Sequence, residues 1–291
     1  MASANGTAVS RTIVVTGASD GIGAAAARKL HQDGHEVVVV GRSPQKTAAV
    51  ARDIGARHFV ADFARLDDVR RLAADLDREY PRIDVLANNA GGIFGDRAKT
   101  VDGFELTFQV NHLAPFLLTR LLLDKLIASR AAIIQTSSSA AWFGRLDLAD
   151  LDLDKNFSAM RAYCASKLEN VLFTRELHRR YHARGISAAA FHPGVIASNF
   201  AADSDSFIRI LTQWGRMFLR SPAQGADQLV WLAESAPGEG WTSGTFYAKR
   251  KVFSRRHSQA HDGALARRLW DRSEQLLDPV PTAARAALRA V

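Results

Sequence analysis

The chain has 291 residues, of which 47% are hydrophobic and 23% charged, a balance that excludes extended disorder and fibrous repeats and leaves material for a sizeable core. Its formal net charge of +8 makes acidic partners, nucleic acid included, a class to weigh. The single cysteine, Cys164, excludes an internal disulfide and any cysteine-based zinc site.

In chain order, the β-branched run Thr12 to Thr16 predicts a strand, and Ala24 to Leu30, after a glycine turn, predicts a helix. Val37 to Val40 is an unbroken valine run of the kind found in strands covered on both faces. A helix follows from Pro44, then a strand at Arg57 to Ala61, a helix at Leu66 to Glu79 and a strand at Ile83 to Ala87. Leu113 to Ile127, interrupted by Arg120, Asp124 and Lys125, reads as a buried helix rather than a bilayer span. Ala131 to Thr136 predicts a strand, Ala159 to Tyr181 a long helix, Ile186 to Phe191 a strand, Ala223 to Glu234 a helix and Thr245 to Ala248 a strand. Such alternation implies right-handed crossovers and a mainly parallel sheet in an α/β protein. No repeat or linker divides the chain, so residues 1–291 read as one domain. No secretory signal or integral membrane segment is evident, and a cytoplasmic location is expected. The basic stretch Lys249 to Lys251 with Arg255 and Arg256 lies beside Phe246, Tyr247 and Phe253 but matches no nucleic-acid motif, and reads as solvated surface.

The string TGASDGIG, Thr16 to Gly23, stands where the first strand gives way to the first helix. Glycine there lets the backbone approach a pyrophosphate, whose charge is favoured by the free amides of a helix start. Gly17, Gly21 and Gly23 do not have the G-x-G-x-x-G spacing, and alone such a turn serves equally well as a structural corner. Further on come Asp62 in VADF, and NNAG at Asn88 to Gly91. Tyr163 and Lys167 are four positions apart on one face of the long predicted helix, with Ser138 at the end of the fifth strand. A lone YxxxK is common by chance and is then a solvated face.

This ordered set resembles the short-chain dehydrogenase/reductase family. NHLAPFLLT (Asn111 to Thr119), AYCASKLENVLFT (Ala162 to Thr174), FHPG (Phe191 to Gly194) and ARRLWD (Ala266 to Asp271) resemble its retinol-dehydrogenase-type branch more narrowly. The resemblance implies a Rossmann-type doubly wound parallel sheet of about seven strands, order 3-2-1-4-5-6-7, with helices on both faces. It implies an oxidoreductase that moves a hydride between NADP(H) and an alcohol or carbonyl substrate. Tyr163 would be the general acid and base. Lys167 would bind the nicotinamide ribose and depress the tyrosine pKa, Ser138 would hydrogen-bond the substrate oxygen, and Asn111 would hold a relay water. Dinucleotide contacts are implied for Gly17, Ser19, Asp20, Gly21, Ile22, Gly23, Arg42, Asp62, Asn89, Ala90, Gly91, Tyr163, Lys167, Pro193, Gly194 and Ile196, with Ser198 as a further hydroxyl nearby. Ser138 is chosen over Ser137 and Ser139 because it aligns with the second serine of the family's paired-serine motif.

The chemistry is self-consistent. Reducing a ketone by hydride leaves an alkoxide that needs a proton. A phenol of pKa about 10 is poorly matched to that task unless an ammonium nearby favours tyrosinate. For the cofactor, Val40-Gly41-Arg42-Ser43 ends the second strand without a carboxylate, and Arg42 suits the extra phosphate of NADP. A surface arginine is the plain alternative. Asp20 cuts against NADP because many NADP-using relatives carry a basic residue there, so NAD stays in play.

His178 and His182, one helical turn apart, have no third-ligand signal and read as a solvated face, so no metal is expected. Cys164 reads as packed and unreactive. Phe207, Ile210, Leu211, Trp214 and Phe218 recur at helical spacing. By resemblance, 198–222 would form a lid over a bulky apolar substrate. Core packing, or a membrane contact helped by Arg209, Arg216 and Arg220, are the other readings. A nucleotide-binding regulatory protein without turnover is the alternative function, and self-association stays open.

Overall fold

The computed structural model describes residues 10–194, 221–253 and 255–278. Its strands are β1 (Thr12–Thr16), β2 (Glu36–Gly41), β3 (Arg57–Val60), β4 (Val85–Asn88), β5 (Ala132–Thr136), β6 (Ser187–His192), β7 (Thr245–Ala248) and β8 (Lys251–Val252). They form one sheet of order β3-β2-β1-β4-β5-β6-β7-β8, parallel except for the last pair. The helices are α1 (Gly21–Gln32), α2 (Pro44–Asp53), α3 (Leu66–Glu79), the single turn α4 (Leu106–Phe108), α5 (Ala114–Leu121), α6 (Leu123–Ala128), α7 (Ala159–Tyr181), α8 (Pro222–Glu234) and α9 (Gly263–Leu277).

The valine run shows why the sheet is covered twice. Val38 and Val40 join Val14, Leu86 and Ile133 in the core under α3, α5 and α7, while Val37 and Val39 join Ile13, Val15 and Ile134 in the core under α1, α2 and α8. Side chains alternate along a strand, so an all-apolar strand requires apolar cover on both sides. Helix starts follow local chemistry. Ser43, Ser158 and Asp262 cap α2, α7 and α9 with side-chain oxygens, and Ser221 and Gln224 make a reciprocal capping pair at α8.

Two features differ from expectation. The buried helix expected over Leu113 to Ile127 is broken at Leu122 into α5 and α6, and is preceded by a widened helical turn at Gln109–Leu113. The sheet also gains an eighth strand: Lys249 and Arg250 take left-handed backbone angles, φ 52° and 57°, that turn β7 back onto itself. The basic stretch is thus partly a hairpin turn, in which Arg250 pairs with Asp227. Helix α9 closes the far side of α5 and α7. Trp270 stacks on Phe173 with centroids 5.6 Å apart, and Ser273 bonds the buried His112 ring at 2.9 Å. Burial pushes that imidazole down to about 3, so it is neutral at physiological pH and serves packing. Among the described residues no helix is long and apolar enough to cross a membrane.

Candidate active site

The glycine turn lies at the carboxyl end of β1, beside the crevice where the strand order reverses between β1 and β4. Gly17 has φ +65°, and a Cβ there would stand 2.8 Å from the Ala90 Cα. A Cβ on Gly23 would overlap the Gly17 carbonyl oxygen. Backbone therefore fills the space that side chains would take, leaving the amides at the start of α1 accessible to an anion. Gly23→Ala is expected to destabilise the fold by about 1–3 kcal/mol through overpacking against backbone. It is also expected to weaken dinucleotide binding, and urea unfolding with a fluorescence titration reads both.

Asn88 to Gly91 buttress this turn from below. Asn89 donates from Nδ2 to the Thr16 carbonyl at 2.9 Å and accepts from the Thr136 hydroxyl at 3.1 Å. The Thr16 hydroxyl accepts from the amides of Asn89 and Ala90, both at 3.0 Å. The Asn89 side chain is thus a brace between β1 and β5. Gly91 brings backbone to the catalytic candidates, since a Cβ there would lie 2.9 Å from Asn111 Oδ1 and 3.4 Å from Lys167 Nζ.

At the rim, Asp20 caps α1 through the Gly21 amide at 2.7 Å and receives Lys46 Nζ at 3.0 Å. Its charge is partly balanced by that ammonium, which weakens the objection it raised against a phosphate nearby. Ser19 packs against Gly41, where an added Cβ would come within 2.9 Å of its hydroxyl. Arg42 is exposed and makes no hydrogen bond or ion pair with any described residue. Asp62 accepts from the Ala64 amide at 3.0 Å at the end of β3. Ile22 is half-buried in the first turn of α1.

Ser138, Tyr163 and Lys167 meet at the end of β5. The Ser138 hydroxyl lies near enough to the Tyr163 phenol to favour its ionised form, and accepts from the Ala140 amide at 3.2 Å. Lys167 Nζ lies 5.4 Å from the Tyr163 ring centroid and donates to the Thr136 carbonyl at 3.0 Å. The neighbouring Ser137 is committed elsewhere, donating to the Lys167 carbonyl at 2.7 Å. Asn111 sits in the widened turn with its side chain fully engaged: Oδ1 accepts from the Gly92 amide at 2.9 Å, and Nδ2 donates to the Gly92 carbonyl at 2.9 Å and to Ser166 Oγ at 3.0 Å. Such widened turns concentrate at functional sites.

Within the chain's own groups burial pushes the Tyr163 phenol up to about 12, with Ser138 a smaller downward pull. Lys167 is buried too, and loss of hydration brings its ammonium down to about 7.

Pro193 and Gly194 follow β6 directly, Gly194 with φ +98°. Ile196, Ser198 and the apolar series Phe207 to Phe218, with the lid expected near 198–222 as far as residue 220, lie outside the described residues. Ser221 and Pro222 begin α8. His178 is not the solvated residue expected: it is half-buried, with Nδ1 2.8 Å from Ser243 Oγ, a hydroxyl that also accepts from the Ala188 amide at 2.9 Å. No metal-binding group of three or more side chains occurs among the described residues. Cys164 is buried, and burial raises its thiol pKa.

Reading from residues alone missed Thr16, Thr136 and Ser166. Thr16 opens the glycine string and was open to notice. Thr136 and Ser166 act through a backbone carbonyl and a bridging hydroxyl, for which sequence carries no signal.

The family model for short chain dehydrogenase matches residues 11–208. A protein provisionally assigned as the daunorubicin C-13 ketoreductase DnrU of Streptomyces sp. (strain C5) is 43% identical, the match covering 90% of this chain and 91% of that one. Human retinol dehydrogenase 13 is 38% identical, over 92% of this chain and 84% of that one. Among solved structures, an uncharacterised protein from Mycobacterium paratuberculosis superposes with TM-score 0.73 at 35% identity, covering 91% and 92% of the two chains. A provisionally assigned short chain dehydrogenase from Shigella flexneri 2a strain 301, complexed with NADP, superposes with TM-score 0.63 at 26% identity, covering 81% and 95%.

Proposed function

The chain belongs to the short chain dehydrogenase family, an oxidoreductase family of NAD(P)-dependent hydride transfer, and on that premise we propose that it is an NADP(H)-dependent reductase or dehydrogenase of the retinol-dehydrogenase-type branch acting on a bulky apolar carbonyl or alcohol. The observation that carries this reading is the convergence of Ser138, Tyr163 and Lys167, with Lys167 Nζ 5.4 Å from the Tyr163 ring centroid and close to Gly91 at the edge of the glycine cradle. A protein that only bound nucleotide has no physical need for a buried phenol, hydroxyl and amine converging there.

The residues fit the cofactor. The side-chain-free surface around Gly17 and Gly23 suits a pyrophosphate, and the exposed Arg42 with Ser19 suits a ribose phosphate. Asp62, Ala90, Pro193 and Gly194 complete the rim in this reading, and the identity to the Shigella NADP complex supports NADP over NAD. When bound, NADPH supplies the hydride. Tyr163 then gives its proton to the substrate oxygen, which Ser138 holds by hydrogen bond. Lys167 steadies the dinucleotide ribose and returns charge to the phenol once it is itself cationic. Asn111, its side chain spent on Gly92 and Ser166, orders the relay water through its backbone. The names of the relatives, one for a ketone and one for an alcohol, support the substrate class.

The test is NADPH and NADH consumption against a panel of aldehydes and ketones, including polycyclic ketones and retinal. Turnover with an NADPH preference is expected. Arg42→Ala is expected to raise the KM for NADPH about 10- to 100-fold, the worth of a charge-assisted hydrogen bond, and to leave that for NADH unchanged. No turnover on any substrate, with intact dinucleotide binding, moves the protein to the regulatory reading.

A further inference from the structure

Between Ser138 and the start of α7 at Ala159 the chain makes one short helical turn, Ser139–Phe143, and no strand. A stretch so poor in regular structure does not hold its own position, yet Ser138 must meet a phenol to within hydrogen-bond tolerance. The Ser138 hydroxyl also caps the Ala140 amide, so a shift of the 139–143 turn would draw that hydroxyl with it.

The stretch is held from outside by the segment that precedes α9. Gln259 pairs with both backbone groups of Leu146, its Oε1 accepting from the amide at 2.9 Å and its Nε2 donating to the carbonyl at 2.8 Å, as a neighbouring strand would. His257 Nδ1 accepts from the Ala260 amide at 3.0 Å, which leaves Nε2 to donate to the Gly144 carbonyl at 3.1 Å. Trp142 donates to the Arg255 carbonyl at 2.8 Å and packs on Phe246 and Phe253, with centroids 4.6 and 5.0 Å away. On the opposite side Gly144 lies so close to the first turns of α7 that a Cβ would overlap the Cys164 carbonyl. The stretch is clamped between this strap and the helix turn that carries Tyr163.

We propose that Gln259 is a positioning residue which, by pairing with Leu146, keeps the Ser138 hydroxyl on the Tyr163 phenol and so sets the proton donor. It touches no reacting atom. The inference rests on the reductase reading given above, and its action runs entirely through Ser138.

A double-mutant cycle separates positioning from general support. Gln259→Met keeps the side-chain length and removes both bonds. It is expected to lower kcat about tenfold or more, the scale of a small misplacement of a catalytic group, with the KM for NADPH unchanged. In a Ser138→Ala background the same change is expected to alter kcat by less than about twofold, because the group it positions is gone. Gln259→Glu, which keeps the acceptor for the Leu146 amide and loses the donor, is expected to fall between. Hydrogen exchange at the Ala140 and Leu146 amides is expected to quicken in Gln259→Met. Equal kcat losses in the two backgrounds, or no loss in either, would overturn the proposal and leave the reductase reading standing if the wild type turns over and Ser138→Ala is measurably slower. A wild type without turnover on the panel overturns both.

Discussion

Tyr163→Phe is expected to reduce turnover by about 100- to 10,000-fold, the usual contribution of a positioned general acid. The ring stays and only the hydroxyl goes, so packing around a residue 9% exposed is preserved. Dinucleotide affinity is expected to change little, since the hydroxyl contributes a proton rather than a charge. Single-turnover kinetics with NADPH, alongside direct titration of the cofactor, separate the two quantities. A variant that retains a tenth or more of wild-type turnover would remove Tyr163 as the acid. The pH profile carries a second signature. The chain's own groups hold the phenol at about 12, so whatever acidity the reaction needs comes from charge brought beside it, and the rising limb of the profile is expected to shift with the cofactor's redox state.

Lys167→Met is expected to lower turnover to a similar extent while making the fold more stable at neutral pH. The folded amine titrates at about 7, against 10.5 for an ordinary lysine. Between those two values the unfolded chain holds a proton that the folded chain does not. Wild-type stability therefore rises with pH across that window, by up to about 1.4 kcal/mol per pH unit for one proton, and is flat with respect to this group below it. Methionine removes the dependence. The stability advantage of the variant is expected to be largest at and below pH 7 and to shrink towards pH 10.5, minus the small loss of the bond to the Thr136 carbonyl. Urea unfolding of both proteins at pH 7 and pH 10 tests this directly, because contributions from all other titrating groups cancel in the comparison. Parallel stability curves would show that Lys167 is not desolvated as the structure has it.

Much of the framework was legible from residues alone because it depends on short-range rules. The valine run of β2, Pro44 after Ser43 and the four-residue spacing of Tyr163 and Lys167 each encode a local preference that tertiary packing did not have to overrule. The boundaries of α3, α7 and β7 coincide with the ranges read from composition. The break at Leu122 and the widened turn at Asn111 were not legible, since a leucine-rich stretch has the same period whether or not its helix is interrupted. The hairpin that adds β8 was hidden in a cluster of positive charge, where Lys249 and Arg250 lack the glycine or asparagine that normally marks such a turn.

The amino-acid sequence by itself determined the α/β alternation and the glycine turn between the first strand and the first helix, because each is a pattern over a few neighbouring residues. Only the tertiary structure decided that Asn89 braces the cradle and that Gln259 reaches Leu146 from 113 positions away. It also decided the direction of the two pKa shifts. Charge on an amine depends on how much water the surrounding fold leaves it, and that is a property of packing between segments remote in the chain, which no local spacing records.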